Sequence, residues 1–396
     1  MLPIGDLLKQ VRRPVNVESD THYREIGIRS HGKGIFHKPE TTGKQIGEKR
    51  VFWVEPDCLV FNIVFAWEQA VAMTSETEVG MIASHRFPMY CSRNGKLLPE
   101  YTWRYFSTPR GKYELNIASP GGAGRNKTLG QEEFKRLKIP VPPIEYQREV
   151  VEVLSTMDRA ISGMEQVVTA KRTLKKGLAQ ELLSGHRRLP GFNKSWVSKQ
   201  LGNLVTLHFS SIDKKTYSDE IPVRLCNYTD VFNNDRITHD LIFMPATASK
   251  SAIENFTLKQ GDVIITKDSE TPADIGKPAV VMQDLPGVVC GYHLAILRPR
   301  SVDGLFLSQL LRLSRIRYEL YRIANGVTRF GLGLSSLRQL ELSVPDQPEQ
   351  ARIAAVLDAV DREIALLEKK LAALRELKKG LMQKLLTGPM LAKESA

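Results

Sequence analysis

A helix-forming stretch of 39 residues occurs twice in this chain of 396 residues. The first copy, Gln147 to Gly185, and the second, Gln350 to Gly388, align without a gap at a constant offset of 203 and are identical at 18 of 39 positions. The match includes the unbroken block Leu174-Lys175-Lys176-Gly177-Leu178 against Leu377-Lys378-Lys379-Gly380-Leu381. An internal repeat of this kind dictates architecture before any single residue does. Val150, Leu154, Met157, Ile161, Met164 and Val168 alternate steps of four and three, as do Ile353, Leu357, Val360, Ile364, Leu367, Leu371 and Leu374. A period of 3.5 is a coiled-coil seam, and about 40 residues at ~1.5 Å each make a rod of roughly 60 Å. Two seams of matching length and pattern are expected to pack on each other, whereas unrelated surface helices would have no reason to match. The predicted interface contains Leu154, Met157, Ile161 and Met164 on one helix and Leu357, Val360, Ile364 and Leu367 on the other. The first copy departs at Lys171, where Leu374 fills the seam in the second, and at Gly163, which costs about 1 kcal/mol against Ala inside a helix. Lys171 is expected either to snorkel outwards or to mark a looser stretch of helix.

What lies between the copies repeats more faintly. Within residues 1 to about 140, runs such as Arg50 to Val54 and Cys58 to Ala66 read as strands, divided by turn signals such as Pro56-Asp57 and Asn94-Gly95. The proline-rich Ile139-Pro140-Val141-Pro142-Pro143 closes this domain, and prolines are tolerated where a helix begins. Gly185 can take a left-handed cap, and His186 to Phe192 form a basic linker with a Pro-Gly turn. From Trp196 the chain retraces its path. Ile4-Gly5-Asp6-Leu7 is echoed by Leu201-Gly202-Asn203-Leu204, Asp57-Cys58-Leu59-Val60-Phe61 by Asp262-Val263-Ile264-Ile265-Thr266, and the spacing of Leu137 to Pro142 by Leu340 to Pro345. The predicted order is a domain over 1–143, a helix over 144–186, a linker and second domain over 187–345, and a helix with tail over 346–396. The expected fold class is α+β, with two similar globular domains separated by a pair of long antiparallel helices in a pseudo-two-fold repeat. A duplication that kept its frame alike while its globular parts diverged describes two readers of different targets, and helices held alike suggest that each meets an equivalent partner surface.

The net charge of +12 and the sequence pI near 9.4 suggest a polyanionic partner, most often nucleic acid. Residues 1–140 hold 21 Lys and Arg against 15 Asp and Glu, so they carry half of that surplus, +6. Cys58, Cys91, Cys226 and Cys290 are far apart in sequence and form no C-x-x-C pair, so neither zinc nor a disulfide framework is indicated. A reducing cytoplasm fits, and the absence of a signal-like N-terminus or of ~18 consecutive apolar residues leads to the expectation of a soluble intracellular protein.

The order of parts, the I-P-x-P-P…Q approach to the first helix, echoed before the second, and the L-K-K-G-L-x-Q-x-L-L-[ST]-G exit from both resemble the specificity subunit of type I DNA restriction-modification systems over the whole chain. The resemblance implies two target recognition domains, each reading one half of a bipartite site in double-stranded DNA, with the helix pair setting the spacer between the halves. It further implies two DNA methyltransferase subunits docked on the frame and restriction (translocase) subunits that join to cleave. S-adenosylmethionine, ATP and Mg would then belong to those partners, with no cofactor, metal or catalytic residue in this chain.

The residues agree with a non-catalytic role. There is no G-x-x-x-x-G-K-[ST] loop, no H-E-x-x-H, and no Asn-Pro-Pro-aromatic motif for a methyltransferase. Gly121-Gly122-Ala123-Gly124 follows no strand-to-helix pattern for a nucleotide, and Asp57 with Glu133-Phe134-Lys135 reads better as a solvated face than as a nuclease metal site. The rival readings are a nuclease or methyltransferase without a recognisable motif and a coiled-coil scaffold whose domains bind protein.

Base reading requires donors and acceptors presented in the major groove, while Lys and Arg on loops set register on phosphates. In the first domain the candidates are Arg29, Ser30, His31 and Lys33 in a glycine-flanked turn, then Arg125, Asn126 and Lys127. In the second they are Asn227, Tyr228 and Asp230, then Lys267, Asp268 and Ser269 after a strand, and Thr328 with Arg329. Arg125-Asn126 and Thr328-Arg329 stand at equivalent places in the repeat, at the offset of 203 or one residue from it. Trp53, Trp67, Trp103 and Trp196 are expected to be core residues rather than stacking platforms.

Overall fold

The computed structural model describes residues 1–121 and 127–388. It divides into two compact units, Met1–Gln166 with Lys369–Ala396 and Val167–Glu368. The central helix, Ile144–Leu183, and the C-terminal helix, Gln347–Thr387, both contribute to each unit. The fold class is the expected one, α+β with two similar domains and two long helices that run antiparallel within each unit.

In the first unit one four-stranded antiparallel sheet has the order Leu8–Val11, Met89–Ser92, Leu59–Phe61, Val71–Met73. A second has the order Ile35–Thr42, His22–Ile28, Ile82–Ser84, Val51–Trp53. Alternation along a strand sends neighbours to opposite faces. Leu59 and Phe61 therefore join a core with Tyr90, Phe106 and Phe134, while Cys58 and Val60 join another with Ile26 and Met89. Phe61 meets Phe134 at 4.8 Å and Tyr90 at 6.1 Å between ring centroids, in edge-on contacts. Val150 and Leu154 of the central helix and Leu386 of the C-terminal helix are buried in the same core. The predicted strand over Cys58 to Ala66 is shorter than expected, because the chain turns after Phe61.

The second unit repeats this plan. Its main sheet has the order Val205–Phe209, Leu294–Pro299, Val263–Thr266, Pro278–Val281, Arg236–Ile237. Val263 and Ile265 face the core that includes Leu182, Leu183, Ile353 and Leu357 from the long helices, and Ile264 faces the opposite core.

The sequence echoes have structural causes. Gly5 and Gly202 lie in equivalent helical turns, and a Cβ on either would meet the Cβ of Lys135 at 3.0 Å or of Arg338 at 3.2 Å. The backbone N–H of Ile4 donates to Leu137 O and that of Leu201 to Leu340 O, at 2.9 and 2.8 Å. The glutamine at the start of each helix copy is a buried clamp. Gln147 Oε1 accepts from Leu98 N at 2.9 Å, and its Nε2 donates to Pro142 O and Lys96 O, both at 2.8 Å. Gln350 accepts from Asp303 N at 2.9 Å and donates to Pro345 O at 2.8 Å. The I-P-x-P-P…Q motif thus ties the proline segment to the first turn of another helix in its own domain.

The helix pair is held by exchanged partners. In the first unit Arg375 binds Glu165 at 2.6 Å and Lys378 binds Asp158 at 2.5 Å. In the second, Arg172 binds Glu368 and Lys175 binds Asp361, both at 2.6 Å. Each residue of one set is the other set's counterpart at the offset of 203, so each unit makes the same pairing with the roles of the two helices exchanged. Lys171 binds Glu363 at 2.8 Å, and the counterpart of this pair is Leu374 with Ala160. The polar intrusion in the first copy is therefore matched by an acid on the facing helix, and Lys171 sits in continuous helix. Of the predicted interface, Leu154, Leu357 and Ile364 are buried, while Met157, Ile161, Met164, Val360 and Leu367 are half-buried.

Two expectations are corrected. Cys58 and Cys91, 33 residues apart, form a disulfide with a Cα separation of 4.7 Å. Sequence distance hid this pairing: Leu59 faces Tyr90 across an antiparallel ladder, so the next residues outward, Cys58 and Cys91, are opposite each other. The echo of Asp57 by Asp262 also shifts by one residue. Asp57 and Gly261 share a left-handed backbone, φ 53° and 84°, and each donates its N–H to the facing strand, so Cys58 corresponds to Asp262. Where the first domain carries the disulfide, the second carries an ion pair between buried Asp262 and Arg298, at 2.8 Å.

Candidate nucleic-acid interface

In the first domain the strand His22–Ile28 and its partner Ile35–Thr42 are joined by the candidate loop, which His31, Gly32 and Gly34 shape with positive φ. A non-glycine residue in that region is uncommon and stays there only when the surroundings hold it. Here His31 N donates to Glu68 O at 2.7 Å, Gly32 N to Gln69 O at 2.9 Å, and Ser30 Oγ to Glu68 Oε2 at 3.2 Å. Ser30 is thereby a fastener of the loop. Arg29 donates to Ile35 O at 2.9 Å and lies over the Phe36 ring, while His31 and Lys33 are exposed. Arg125 and Asn126 lie outside the described residues. Lys127 donates to Asn116 Oδ1 at 2.8 Å and stands 5.7 Å from the Trp67 ring. The turn Ala66–Glu68, which sequence reasoning passed over, therefore fastens the first candidate loop, and its Trp67 is half-buried beneath Lys127.

The second domain gathers its candidates at three strand ends. Ile221–Cys226 pairs parallel with Val288–Cys290, so Asn227 and Gly291 leave the sheet at the same end. Val263–Thr266 runs antiparallel to Leu294–Pro299, which sets Lys267 beside His293, its N–H donating to His293 O at 3.0 Å. Tyr292 and His293 consequently stand at the centre of Asn227, Tyr228, Lys267, Asp268, Ser269 and Arg329. They line both a hollow of about 200 Å³ with Asp213, Lys214, Asn227 and Tyr228 and one of about 440 Å³ with Asp268, Asn325 and Arg329. Neither was singled out from sequence, although Gly291-Tyr292-His293 follows a strand as Lys267-Asp268-Ser269 does.

Not every candidate is free to read a base. Asn227 Oδ1 accepts from Thr229 N, and Asp230 accepts from Asn227 N at 2.8 Å, so both cap the helix Tyr228–Asn233. Burial raises the Asp230 carboxyl, with the Asn227 N–H bond working against it. Ser269 is buried, its Oγ accepting from Thr271 N at 3.2 Å and from the Tyr228 hydroxyl at 3.4 Å. Burial also pushes the Lys267 ammonium below its usual range. That side chain donates to Ser210 O at 3.3 Å and lies 4.4 Å from the centroid of Tyr292.

Asp268 approaches His293 Nδ1 at 2.6 Å and Arg329 at 3.6 Å. A carboxylate only accepts, so Nδ1 carries the proton, and in the neutral ring the other nitrogen is an acceptor that a ligand can meet. Arg329 offsets the charge of Asp268 that would otherwise repel a phosphate. Thr328 and Arg329 occupy the exposed turn between Ala324–Asn325 and Phe330–Leu332. A cleft of about 880 Å³ lies elsewhere in this unit, and its Arg172, Lys175, Arg236 and Arg312 are already paired with acids.

These faces can be set beside known proteins. The type I restriction enzyme MjaVIII specificity subunit of Methanocaldococcus jannaschii is 23% identical over 278 residues, 66% of this chain and 64% of that one. The putative MjaX specificity subunit of the same organism is 23% identical over 291 residues, 68% of this chain and 63% of the relative. This chain thus spans less than two thirds of either relative's length. Among solved structures, the HsdS subunit from Thermoanaerobacter tengcongensis matches with a TM-score of 0.50 at 18% identity, over 98% of this chain and 96% of that one. The S subunit of a type I system from M. genitalium matches with a TM-score of 0.57 at 13% identity, over 97% and 95%. At such identities the likeness concerns the fold. The family described as "Type I restriction modification DNA specificity domain" matches residues 64–169 and 193–376, most of the sequence, and the chain belongs to that family.

Proposed function

We propose that this chain is the sequence-reading subunit of a type I restriction-modification complex, binding a bipartite site in double-stranded DNA and directing where partner subunits act. The observation that carries the reading is the contrast within the repeat. The frame pairs residue for residue, Arg172 with Glu368 and Arg375 with Glu165, while the equivalently placed loops carry different side chains. Two faces of different chemistry on a repeated frame suit two different half-sites. In the second domain His293, oriented by Asp268, together with Tyr292 and Lys214, offers acceptor, aromatic and cationic groups to a groove. In the first, His31 and Lys33 on the fastened loop, with Arg29 at its base, fill that role.

On this reading two methyltransferase subunits dock on the frame, restriction and translocase subunits join them, and S-adenosylmethionine, ATP and Mg are used by those partners in the cytoplasm. The reading is tested by exchanging residues 1–143 for the equivalent domain of a relative and mapping methylated sites genome-wide. One half-site should change while the other half and the spacer persist. Inserting four residues near 163–171 adds ~6 Å of helix, close to two base-pair steps of ~3.4 Å, and should lengthen the spacer by one or two base pairs. A domain exchange that rewrote both halves would refute the modular reading.

A further inference from the structure

The two domains contain equivalent short helices, Pro109–Ile117 and Ser314–Arg322, which align at an offset of 205 and share Arg110/Arg315, Tyr113/Tyr318, Glu114/Glu319 and Leu115/Leu320. Packing accounts for two of these four. Leu115 and Leu320 are fully buried, and the acids bind within their own helices, Glu114 to Arg110 at 2.8 Å and Glu319 to Arg322 at 3.5 Å. It does not account for the tyrosines, which are 57% and 59% exposed, nor for Arg315, which is exposed with no ion pair among the described residues. Arg110 lies 5.5 Å from the Tyr113 ring. The exposed positions are 109, 110, 112, 113, 116 and 117 in the first helix and 314, 315, 318, 321 and 322 in the second, so the two faces coincide at five positions and differ at Lys112, whose counterpart Arg317 is half-buried. Exposed side chains that persist where the rest of the domains diverged point to a ligand that both copies meet in the same form.

The next turn of that face connects it to the reading loops. Asn116 accepts from Lys127 at 2.8 Å, and at the corresponding place the Tyr321 ring meets Phe330 at 6.3 Å. A ligand spanning loop and helix face, cation-seeking, and identical at both half-sites whatever their bases, is the duplex backbone. We propose that the outward Arg–Tyr face of Pro109–Ile117 and of Ser314–Arg322 holds the sugar-phosphate chain beside each half-site. This sets register without reading sequence, and it rests on the functional reading above.

The test measures the full-length chain binding a random-sequence duplex by anisotropy between 50 and 200 mM salt. Arg315→Gln with Tyr318→Ala should flatten the plot of log affinity against log salt by about 0.9 for each phosphate no longer neutralised. Arg315→Lys should preserve the slope, and the methylated sequences in vivo should be unchanged. Tyr113→Ala should weaken binding in the first domain without disturbing the Arg110–Glu114 pair. If the unmodified chain shows salt-dependent binding and the variants keep its slope and affinity, this inference is overturned. Should such variants instead lose a co-purifying methyltransferase subunit, the face docks protein. If the unmodified chain shows no salt-dependent binding, the functional reading fails, and the inference with it.

Discussion

Replacing Gln147 by Ala removes one buried side chain that makes three hydrogen bonds and strands the groups it served. Leu98 N–H loses its acceptor, and Lys96 O and Pro142 O lose a donor. A hydrogen bond contributes about 1 kcal/mol net, and a buried group left unpaired costs about 1–3 kcal/mol, so the variant should lose about 3–5 kcal/mol. Gln350→Ala removes two bonds and should lose about 2–3 kcal/mol by the same reasoning. Hydrogen exchange is the assay, because it resolves the Leu98 amide from the Asp303 amide and so reads each domain separately. A loss of ~3 kcal/mol corresponds to roughly a hundredfold faster exchange at Leu98, at ~1.4 kcal/mol per tenfold. Gln147→Glu keeps the acceptor for Leu98 N–H but turns a carboxylate towards two carbonyl oxygens. Its folded-state pKa would be raised, so stability should fall as pH rises past the usual carboxylate range and recover in acid. Exchange at Leu98 within a factor of two of the parent in both variants would refute the clamp.

Other outcomes follow from the charge and sulfur chemistry. Breaking the Cys58–Cys91 disulfide frees a 33-residue loop, and Cys58→Ala should lower the stability of the first domain by about 3–4 kcal/mol in thermal unfolding under oxidising conditions while sparing the second. An equal effect of reductant on both domains would contradict the asymmetry. Arg298→Ala leaves Asp262 buried at 1% exposure without its cation, and should destabilise the second domain by about 3–5 kcal/mol in urea unfolding. Lys171→Leu with Glu363→Ala recreates the Leu374–Ala160 combination, and because Lys171–Glu363 is a partly exposed pair its removal should change stability by no more than about 1 kcal/mol. Burial works against ionisation of Asp158, but its bonds to Lys378 and Arg104 win and hold its carboxyl below the ordinary value. The stability it adds should be complete above about pH 4 and fade as pH falls below that, with exchange in the first-unit helix pair rising accordingly.

The helices were legible because a long seam with a 3.5 period has one economical solution, and because the same solution appears twice. The antiparallel pair was part of the expected fold class, and the ion pairs Arg172–Glu368 and Arg375–Glu165 realise it within each unit. The glutamine that opens each copy was legible as a motif, but its task was not. Gln147 and Gln350 bond backbone groups about 50 residues upstream, and no spacing rule names them. The candidate loops were found as polar turns after strands. Their division into fasteners and free groups was hidden, since Ser30, Asn227, Asp230 and Ser269 have the same residue types as base readers and are engaged by their own fold.

By itself the sequence determined the duplication, the class of helix, the order of domain and helix, and the family, because these are periodic or repeated along the chain and survive without knowledge of contacts. Only the tertiary structure decided which residues meet across strands. It paired Cys58 with Cys91, set Asp262–Arg298 at the corresponding place, and brought Tyr292 and His293 between Asn227 and Arg329. Those relations depend on register between strands distant in sequence, and a register is a property of the folded sheet: a shift of one residue would turn every side chain to the other face.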